Sequence, residues 1–277
     1  MYNSKTQIPT RKFNDKDIHT TRITCLKYLS NGNVASASWD FSINVWDPNT
    51  GVSIQRYRNH TYIINDVDQI DLDTIVSASS GLILIWSIST GKTLQTINMD
   101  KKVGDTVRFL PYKGLIAFSS SSNIQIYNHS SNNVMHILTG HSSFVLTIEL
   151  LNEQYLASGG ADTQVIIWDL TTYLVKYNLT GHESSVLSLK RLSASLLASA
   201  GLDTNIFIWN WLMGKLEHTL KGHSDSLRSL DLFDYNTLIS GSWDRTIRLW
   251  DISNGSLIQT LNSSIRVNAL AMIKIRL

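Results

Sequence analysis

Six aromatic residues recur in this chain at a nearly constant spacing. Successive members are 40, 41, 41, 41 and 41 residues apart, and they stand at Trp46, Trp86, Tyr127, Trp168, Trp209 and Trp250. Each lies at the end of a short run rich in β-branched residues, such as INVWD or VIIWD, which is typical of a β-strand. A period of roughly 40 residues indicates a repeat protein whose units share one local structure.

Three further runs complete the repeating unit. A serine-rich run precedes the aromatic residue, as in VASAS and LISGS. A strand-like run lies before it, as in SFVLTIEL (143–150), and another follows, as in YLVKYNL (173–179). One four-stranded sheet cannot bury both faces, so neighbouring sheets must stack, and radial closure leaves only short edges exposed. We therefore predict an all-β propeller built from six four-stranded antiparallel sheets.

Dipeptides at the two ends of the unit resemble a known family. Gly-His stands near the start of three repeats, at Gly140–His141, Gly181–His182 and Gly222–His223, and Trp-Asp ends three repeats. The distance from the repeat His to the Trp is 27 residues in four repeats and 26 in the second. Over residues 7–272 the chain resembles the WD40 family. The resemblance implies a WD40-type β-propeller with six four-stranded blades and a partial seventh, on a seven-bladed plan.

The resemblance also implies a hydrogen-bonded chain of Asp, His, Ser and Trp within each blade. Buried polar groups need such partners, because each unpaired group costs about 1–3 kcal/mol. Four repeats supply complete sets, namely His19, Ser36, Asp40 and Trp46; His141, Ser158, Asp162 and Trp168; His182, Ser199, Asp203 and Trp209; and His223, Ser240, Asp244 and Trp250. The second repeat lacks the Asp and the third has Tyr127 in place of the Trp. We expect blades 2 and 3 to be the least rigid.

We assign the whole chain, residues 1–277, to one propeller domain. An N-terminal closing strand (1–16) precedes blades at 17–58, 59–98, 99–139, 140–180, 181–221 and 222–262, and 263–277 forms the partial seventh blade. Three explanations fit the incomplete seventh blade. The sequence is a fragment, which we favour; or both termini build a reduced seventh blade; or six blades close alone.

Composition excludes several classes of function. The 24 basic and 22 acidic residues give a net charge of +2 without a basic cluster, so we predict no nucleic-acid binding. Cys25 is the only cysteine, which excludes an intramolecular disulfide and a cysteine-based zinc site, and the histidines are not clustered as ligands. We predict no metal and no cofactor. The sequence offers neither a signal-peptide core nor a bilayer-spanning run, so we expect an intracellular protein, cytoplasmic or nuclear, that does not bind membranes.

The recurrence of Ser, His and Asp raises the alternative of a hydrolase triad. The same triplet occurs four times in phase with the Trp, whereas an enzyme needs one catalytic site. No HExxH, Walker or GxGxxG motif is present. We therefore predict that the chain is not an enzyme and serves as a non-catalytic scaffold for protein–protein interaction, with hydrolase and nucleic-acid binder as less favoured functions.

Partners of WD40 propellers often dock on the face that carries the connections from the fourth strand of one blade to the first strand of the next. The exposed positions there lie three and five residues after the repeat His and just before the turn Asp. Aromatic and arginine side chains dominate interface hot spots. The predicted partner-binding residues are Arg22, Trp39, Phe144, Arg228, Trp243, Arg266 and Asn268. We expect Trp39 and Trp243 to point into solvent and the partner to be a protein or peptide, acidic or phosphorylated.

Two alternatives to this surface remain open. In the first, Trp39 and Trp243 only cover the turns beneath them, as single exposed apolar residues often do. In the second, the chain is an architectural subunit of a larger complex and docks through the sides of its blades. The residues make no prediction about self-association.

Overall fold

A computed structural model describes residues 18–99 and 105–272. These residues form 24 strands and no helix, arranged in six antiparallel sheets that follow the chain order. The strands of the first three sheets are β1 (Ile23–Tyr28), β2 (Val34–Ser38), β3 (Ile43–Asp47), β4 (Val52–Tyr57), β5 (Ile64–Gln69), β6 (Thr74–Ser79), β7 (Leu82–Ser87), β8 (Thr93–Asn98), β9 (Val107–Leu110), β10 (Leu115–Ser120), β11 (Asn123–Asn128) and β12 (Asn133–Leu138). Those of the last three are β13 (Val145–Leu150), β14 (Tyr155–Gly160), β15 (Val165–Asp169), β16 (Leu174–Leu179), β17 (Val186–Arg191), β18 (Leu196–Gly201), β19 (Ile206–Asn210), β20 (Lys215–Leu220), β21 (Leu227–Leu232), β22 (Thr237–Ser242), β23 (Thr246–Asp251) and β24 (Leu257–Asn262).

The hydrophobic core lies between successive sheets. One cluster joins Val165 and Ile167 of β15 to Val186 of β17 and Trp209 of β19, so it fills the space between the fourth and fifth sheets. The second strand of each sheet and the third strand of most sheets are largely buried because they lie between two neighbouring sheets, whereas the fourth strands are mostly exposed or half-buried. Successive first strands contact one another around a central channel. The predicted six-bladed, all-β propeller is confirmed.

Residues 263–272 follow β24 without forming a strand. The backbone N–H of Val267 donates to the Ser242 carbonyl (3.0 Å), and the N–H of Leu270 donates to Ser229 Oγ (3.0 Å). The segment therefore lies beside the first strand of the sixth sheet, where a seventh first strand would be. No seventh sheet is present in the part of the chain that the structure describes. The closing strand (1–16) and residues 273–277 lie outside that part, so the explanations of ring closure remain predictions.

The first strand of five sheets contains a β-bulge at the same position. The residue pairing skips one residue in each of these strands, namely Thr24, Asn65, Leu146, Leu187 and Arg228. A bulge re-aims the side chain of the extra residue. All five skipped residues line one opening of the central channel, together with Asp105 and Asn268. We call this opening the channel mouth.

Candidate functional site

A chain of hydrogen bonds runs through the sixth sheet. The indole Nε1–H of Trp250 donates to Ser240 Oγ (2.8 Å), which lies 2.8 Å from His223 Nε2, and His223 Nδ1 lies 2.6 Å from an Asp244 oxygen. The first, fourth and fifth sheets contain the same arrangement, with Trp–Ser and His–Ser distances of 2.7–2.8 Å. Ser240 is fully buried. A serine enclosed between an indole and an imidazole cannot reach a substrate, so this arrangement supports the turn and not hydrolysis.

The carboxylate at the end of each chain holds the turn against the preceding loop. In the sixth sheet, Asp244 also accepts the backbone N–H of Ser224 (3.2 Å). Burial alone would raise the pKa of Asp244, but hydrogen bonds from Thr246 and His223 outweigh it and bring the pKa to about 2. The turn is therefore fixed by an ionised carboxylate at neutral pH.

The second and third sheets lack the complete chain. His60 Nε2 lies 2.6 Å from Ser77 Oγ, but its Nδ1 is buried and has no hydrogen-bond partner among the described residues. Burial lowers the pKa of His60 to about 4. In the third sheet the Tyr127 hydroxyl donates to the side-chain oxygen of Asn132, which lies in the adjacent turn.

The predicted partner-binding residues of the first and sixth blades come together on one face. In both turns, the residue before the Asp donates its backbone N–H to the backbone carbonyl of the residue three positions after the repeat His. Trp39 donates to Arg22 and Trp243 donates to Ser226, both at 2.9 Å. The two indoles thus stand beside the loops that carry Arg22 and Arg228. Trp39 is 40% exposed.

Three guanidinium groups surround one indole. The guanidinium carbons of Arg228, Arg266 and Arg22 lie 4.2, 4.8 and 4.9 Å from the centre of the Trp243 ring, and Arg22 also lies 4.3 Å from the Trp39 ring. These are cation–π distances. We call these five residues the arginine–tryptophan cluster. It joins the first and sixth blades with the segment that follows the sixth.

Trp243 does not point freely into solvent, and that part of the prediction is wrong. Its side chain is only partly exposed, because the three guanidiniums cover the ring and Nε1–H donates to the Asn268 side-chain oxygen (2.8 Å). Asn268 thereby ties the segment after β24 to the turn of the sixth sheet. Trp39 remains the more exposed of the two indoles.

The arginines of the cluster carry positive charge that no ion pair among the described residues neutralises. None of its arginines forms an ion pair with another residue in the two described ranges. Arg228 Nε is buried and has no hydrogen-bond partner there either. Burial lowers the pKa of Arg228, the charge of Arg22 lowers it further, and Asp225 opposes both effects. An anion that reached this site would relieve repulsion between like charges and accept unused donors.

Phe144 lies elsewhere on the propeller. It belongs to the loop before β13 in the fourth blade, is 47% exposed, and its carbonyl accepts the backbone N–H of Ala161 (2.8 Å). No ring contact recorded for residues 18–99 and 105–272 joins it to the arginine–tryptophan cluster. The structure therefore separates it from the other six predicted partner-binding residues.

An exposed aromatic pair near Trp39 escaped the sequence analysis. Phe41 and Tyr62 stack with ring centres 6.4 Å apart and remain 42% and 55% exposed. The backbone φ of Phe41 is 66°. The residues that follow the turn Asp in the fourth, fifth and sixth sheets have φ values within a few degrees of this one. A bulky aromatic residue rarely adopts this conformation. That mismatch, readable from the aligned turns, could have identified Phe41 as a surface residue worth testing.

A second feature that sequence reasoning missed lies inside the channel. One position of each first strand carries a charge, and the sign alternates around the ring: Lys27, Asp68, Arg108, Glu149, Lys190 and Asp231. Neighbouring members pair, with N···O distances of 2.5 Å for Lys27–Asp68, 3.6 Å for Arg108–Glu149 and 2.6 Å for Lys190–Asp231. Successive charged residues of this set are 40 or 41 residues apart, and this spacing was the sequence signal that could have revealed them. These pairs connect adjacent blades.

The described residues provide neither a metal site nor a membrane-spanning helix. No group of three or more His, Cys, Asp or Glu side chains is arranged to hold a metal ion there. The same residues include no helix long and apolar enough to cross a lipid bilayer.

Comparison with known proteins adds to this geometry. The family model of the WD domain, G-beta repeat, matches residues 11–47, 132–169, 174–210 and 214–251, together more than half of the chain. The chain belongs to the WD40 repeat family. The four matched stretches end at or next to the Trp-Asp position of the first, fourth, fifth and sixth blades, the WD40 blades in which the complete hydrogen-bonded chain is present.

Two curated proteins show partial similarity to this chain. The DENN domain and WD repeat-containing protein SCD1 of Arabidopsis thaliana is 29% identical over 121 residues, which cover 43% of this chain and 10% of the relative. The nuclear distribution protein nudF 1 of Talaromyces marneffei is 28% identical over 134 residues, which cover 46% of this chain and 29% of the relative. The matched region spans less than a third of either relative.

Proposed function

We propose that this WD40 propeller is a non-catalytic interaction platform that binds an acidic or phosphorylated segment of a partner protein at the arginine–tryptophan cluster. The observation that carries the proposal is the set of three guanidiniums within 5 Å of the Trp243 ring, none of them paired with a described carboxylate. Guanidinium groups bind carboxylate and phosphate oxygens through two parallel hydrogen bonds.

Apolar surface next to the cluster supports an anchored mode of binding. The exposed ring of Trp39 and the stacked pair of Phe41 and Tyr62 lie on the same face, on the first and second blades. Aromatic anchors supply buried area at low entropic cost, and arginines next to them supply orientation. A segment with an anionic residue close to an apolar one fits this surface.

The proposal is tested by screening a library of immobilised phosphoserine and acidic peptides with the purified chain. We expect the bound peptides to share phosphoserine or runs of Asp and Glu, and the Arg228→Glu/Arg266→Glu variant to lose them. The control is Lys215→Glu/Lys221→Glu, which changes the net charge equally at exposed sites outside the cluster. Equal loss in both variants, or bound peptides without anionic residues, would contradict the proposal.

A second function is favoured by a different observation, the exposed apolar side chains of the outer strands. Leu174 of β16 and Ile258 of β24 are 66% and 54% exposed. A larger complex that holds this propeller through its blade sides would cover such residues. In that case the outer strands, and not the cluster, would determine assembly.

A further inference from the structure

The channel mouth has opposite charges on its two sides. Arg228 comes from the sixth blade and Arg22 from the first, and both line the mouth cavity of about 240 Å³. Asp105 lines the same cavity from the third blade. Along the row of first strands, the fourth and fifth blades separate the third blade from the sixth. The mouth is therefore cationic on one side and acidic on the other.

Asp105 has no cation to neutralise it within the described residues. Its carboxylate accepts one hydrogen bond from Asn65 Nδ2 (2.7 Å) and forms no ion pair there. Burial raises the pKa of Asp105 to about 6, against the opposing hydrogen bond from Asn65. A cation that enters the mouth would stabilise the ionised form of this half-buried carboxylate.

The remaining walls are neutral. Leu146 and Leu187 line the mouth between the acidic and cationic sides, on the fourth and fifth blades. Apolar walls reduce the screening of charges by water and strengthen the preference of each side for its opposite charge. A ligand with only negative groups would place an anion beside Asp105 if it filled the cavity.

We propose that the channel mouth recognises a pair of opposite charges, with an anionic side chain of the partner seated against Arg22 and Arg228 and a lysine or arginine of the same segment seated against Asp105. The anionic half rests on the function proposed above. The cationic half is new and concerns specificity: the bound segment is zwitterionic and crosses the mouth.

Fluorescence polarisation with synthetic peptides tests this directly. Each peptide carries fluorescein, one phosphoserine and one lysine separated by one to five glycines, and a matched peptide has norleucine in place of the lysine. We expect one spacing at which the lysine peptide binds at least five-fold more tightly than its norleucine counterpart. Asp105→Asn should abolish that difference without weakening the binding of the norleucine peptide, whereas Glu153→Gln, which replaces an exposed carboxylate in the β13–β14 turn, should preserve it.

The possible failures are distinguishable. Phosphoserine-dependent binding with no gain from lysine at any spacing, or a gain that persists in folded Asp105→Asn, would overturn the paired-charge proposal alone. Absence of all phosphoserine-dependent binding would overturn the proposed function together with it. Lys101 and Lys102 lie outside the described residues, so the titration is repeated with Lys101→Gln/Lys102→Gln; a lysine preference seen only in that variant would also overturn the proposal for the native chain.

Discussion

The guanidinium carbon of Arg228 lies 4.2 Å from the centre of the Trp243 ring, while its buried Nε has no acceptor among the described residues. The indole face satisfies the cation only in part, because a cation–π contact leaves the N–H groups in the guanidinium plane unbonded. The relationship shows how the first blade, the sixth blade and the segment after β24 hold three arginines around one indole and still present donors to a ligand.

Loss of the indole donor in a complete blade should destabilise the fold more than loss of an indole whose N–H has no hydrogen-bond partner among the described residues. Trp250 and Trp211 are both fully buried, but only Trp250 donates from Nε1, to Ser240 (2.8 Å). Trp250→Phe should lower the free energy of unfolding by about 1 kcal/mol more than Trp211→Phe, because it alone breaks a hydrogen bond. Urea unfolding measures the free energy of unfolding of both variants. Equal losses would show that the hydrogen-bonded chain does not stabilise the fold.

Stability should fall as the pH drops from about 6.5 toward 4, in part because of His60. Its pKa is about 4 in the folded chain and near 6.5 when unfolded. Between those values the unfolded state binds more protons, so acid favours unfolding with a slope of up to about 1.4 kcal/mol per pH unit.

Replacing His60 with Gln should therefore flatten the dependence of unfolding free energy on pH in this window. His129→Gln is the matched control, since His129 belongs to no His–Ser–Trp chain. Urea unfolding at half-unit steps of pH decides the point. An unchanged slope in His60→Gln would mean that the imidazole is not buried neutral.

Asp231 should hold the segment after β24 in place. Its carboxylate binds Lys190 Nζ (2.6 Å) and accepts the backbone N–H of Met272 (2.7 Å). Asp231→Ala should accelerate hydrogen exchange in residues 265–272 by at least ten-fold, and the exposed turn substitution Asp234→Ala should not. Identical exchange in the two variants would place the attachment of this segment elsewhere, for example at the Trp243–Asn268 bond.

Much of the fold could be predicted from the sequence because the same residue types recur in it at a nearly constant spacing. The spacing of Trp168, Trp209 and Trp250, with His 27 residues before each, reports a hydrogen-bonded unit whose members all lie within one repeat. The positions of Arg22 and Arg228 on one face could be predicted because they lie three and five residues after the repeat His of their blades. Periodic positions carry over from blade to blade, so one correct blade predicts the others.

The features that escaped prediction depend on contacts between blades. The partial burial of Trp243 results from Arg22, which is more than 200 residues distant in the chain, and from Asn268 in a segment without a complete repeat. The opposition of Asp105 and Arg228 across the mouth likewise depends on ring geometry. A pattern within one repeat contains no information about either.

The most direct test of the account is site-specific photo-cross-linking in living cells. Benzoylphenylalanine at Tyr62 probes the face of the arginine–tryptophan cluster, and the same residue at Ile258 probes the side of the sixth blade. We predict a cross-linked partner from position 62 whose attached peptide is acidic or phosphorylated, and its loss when Arg228→Glu/Arg266→Glu is introduced. Cross-linking from position 258 alone, or from position 62 with no dependence on the arginines, would contradict the account.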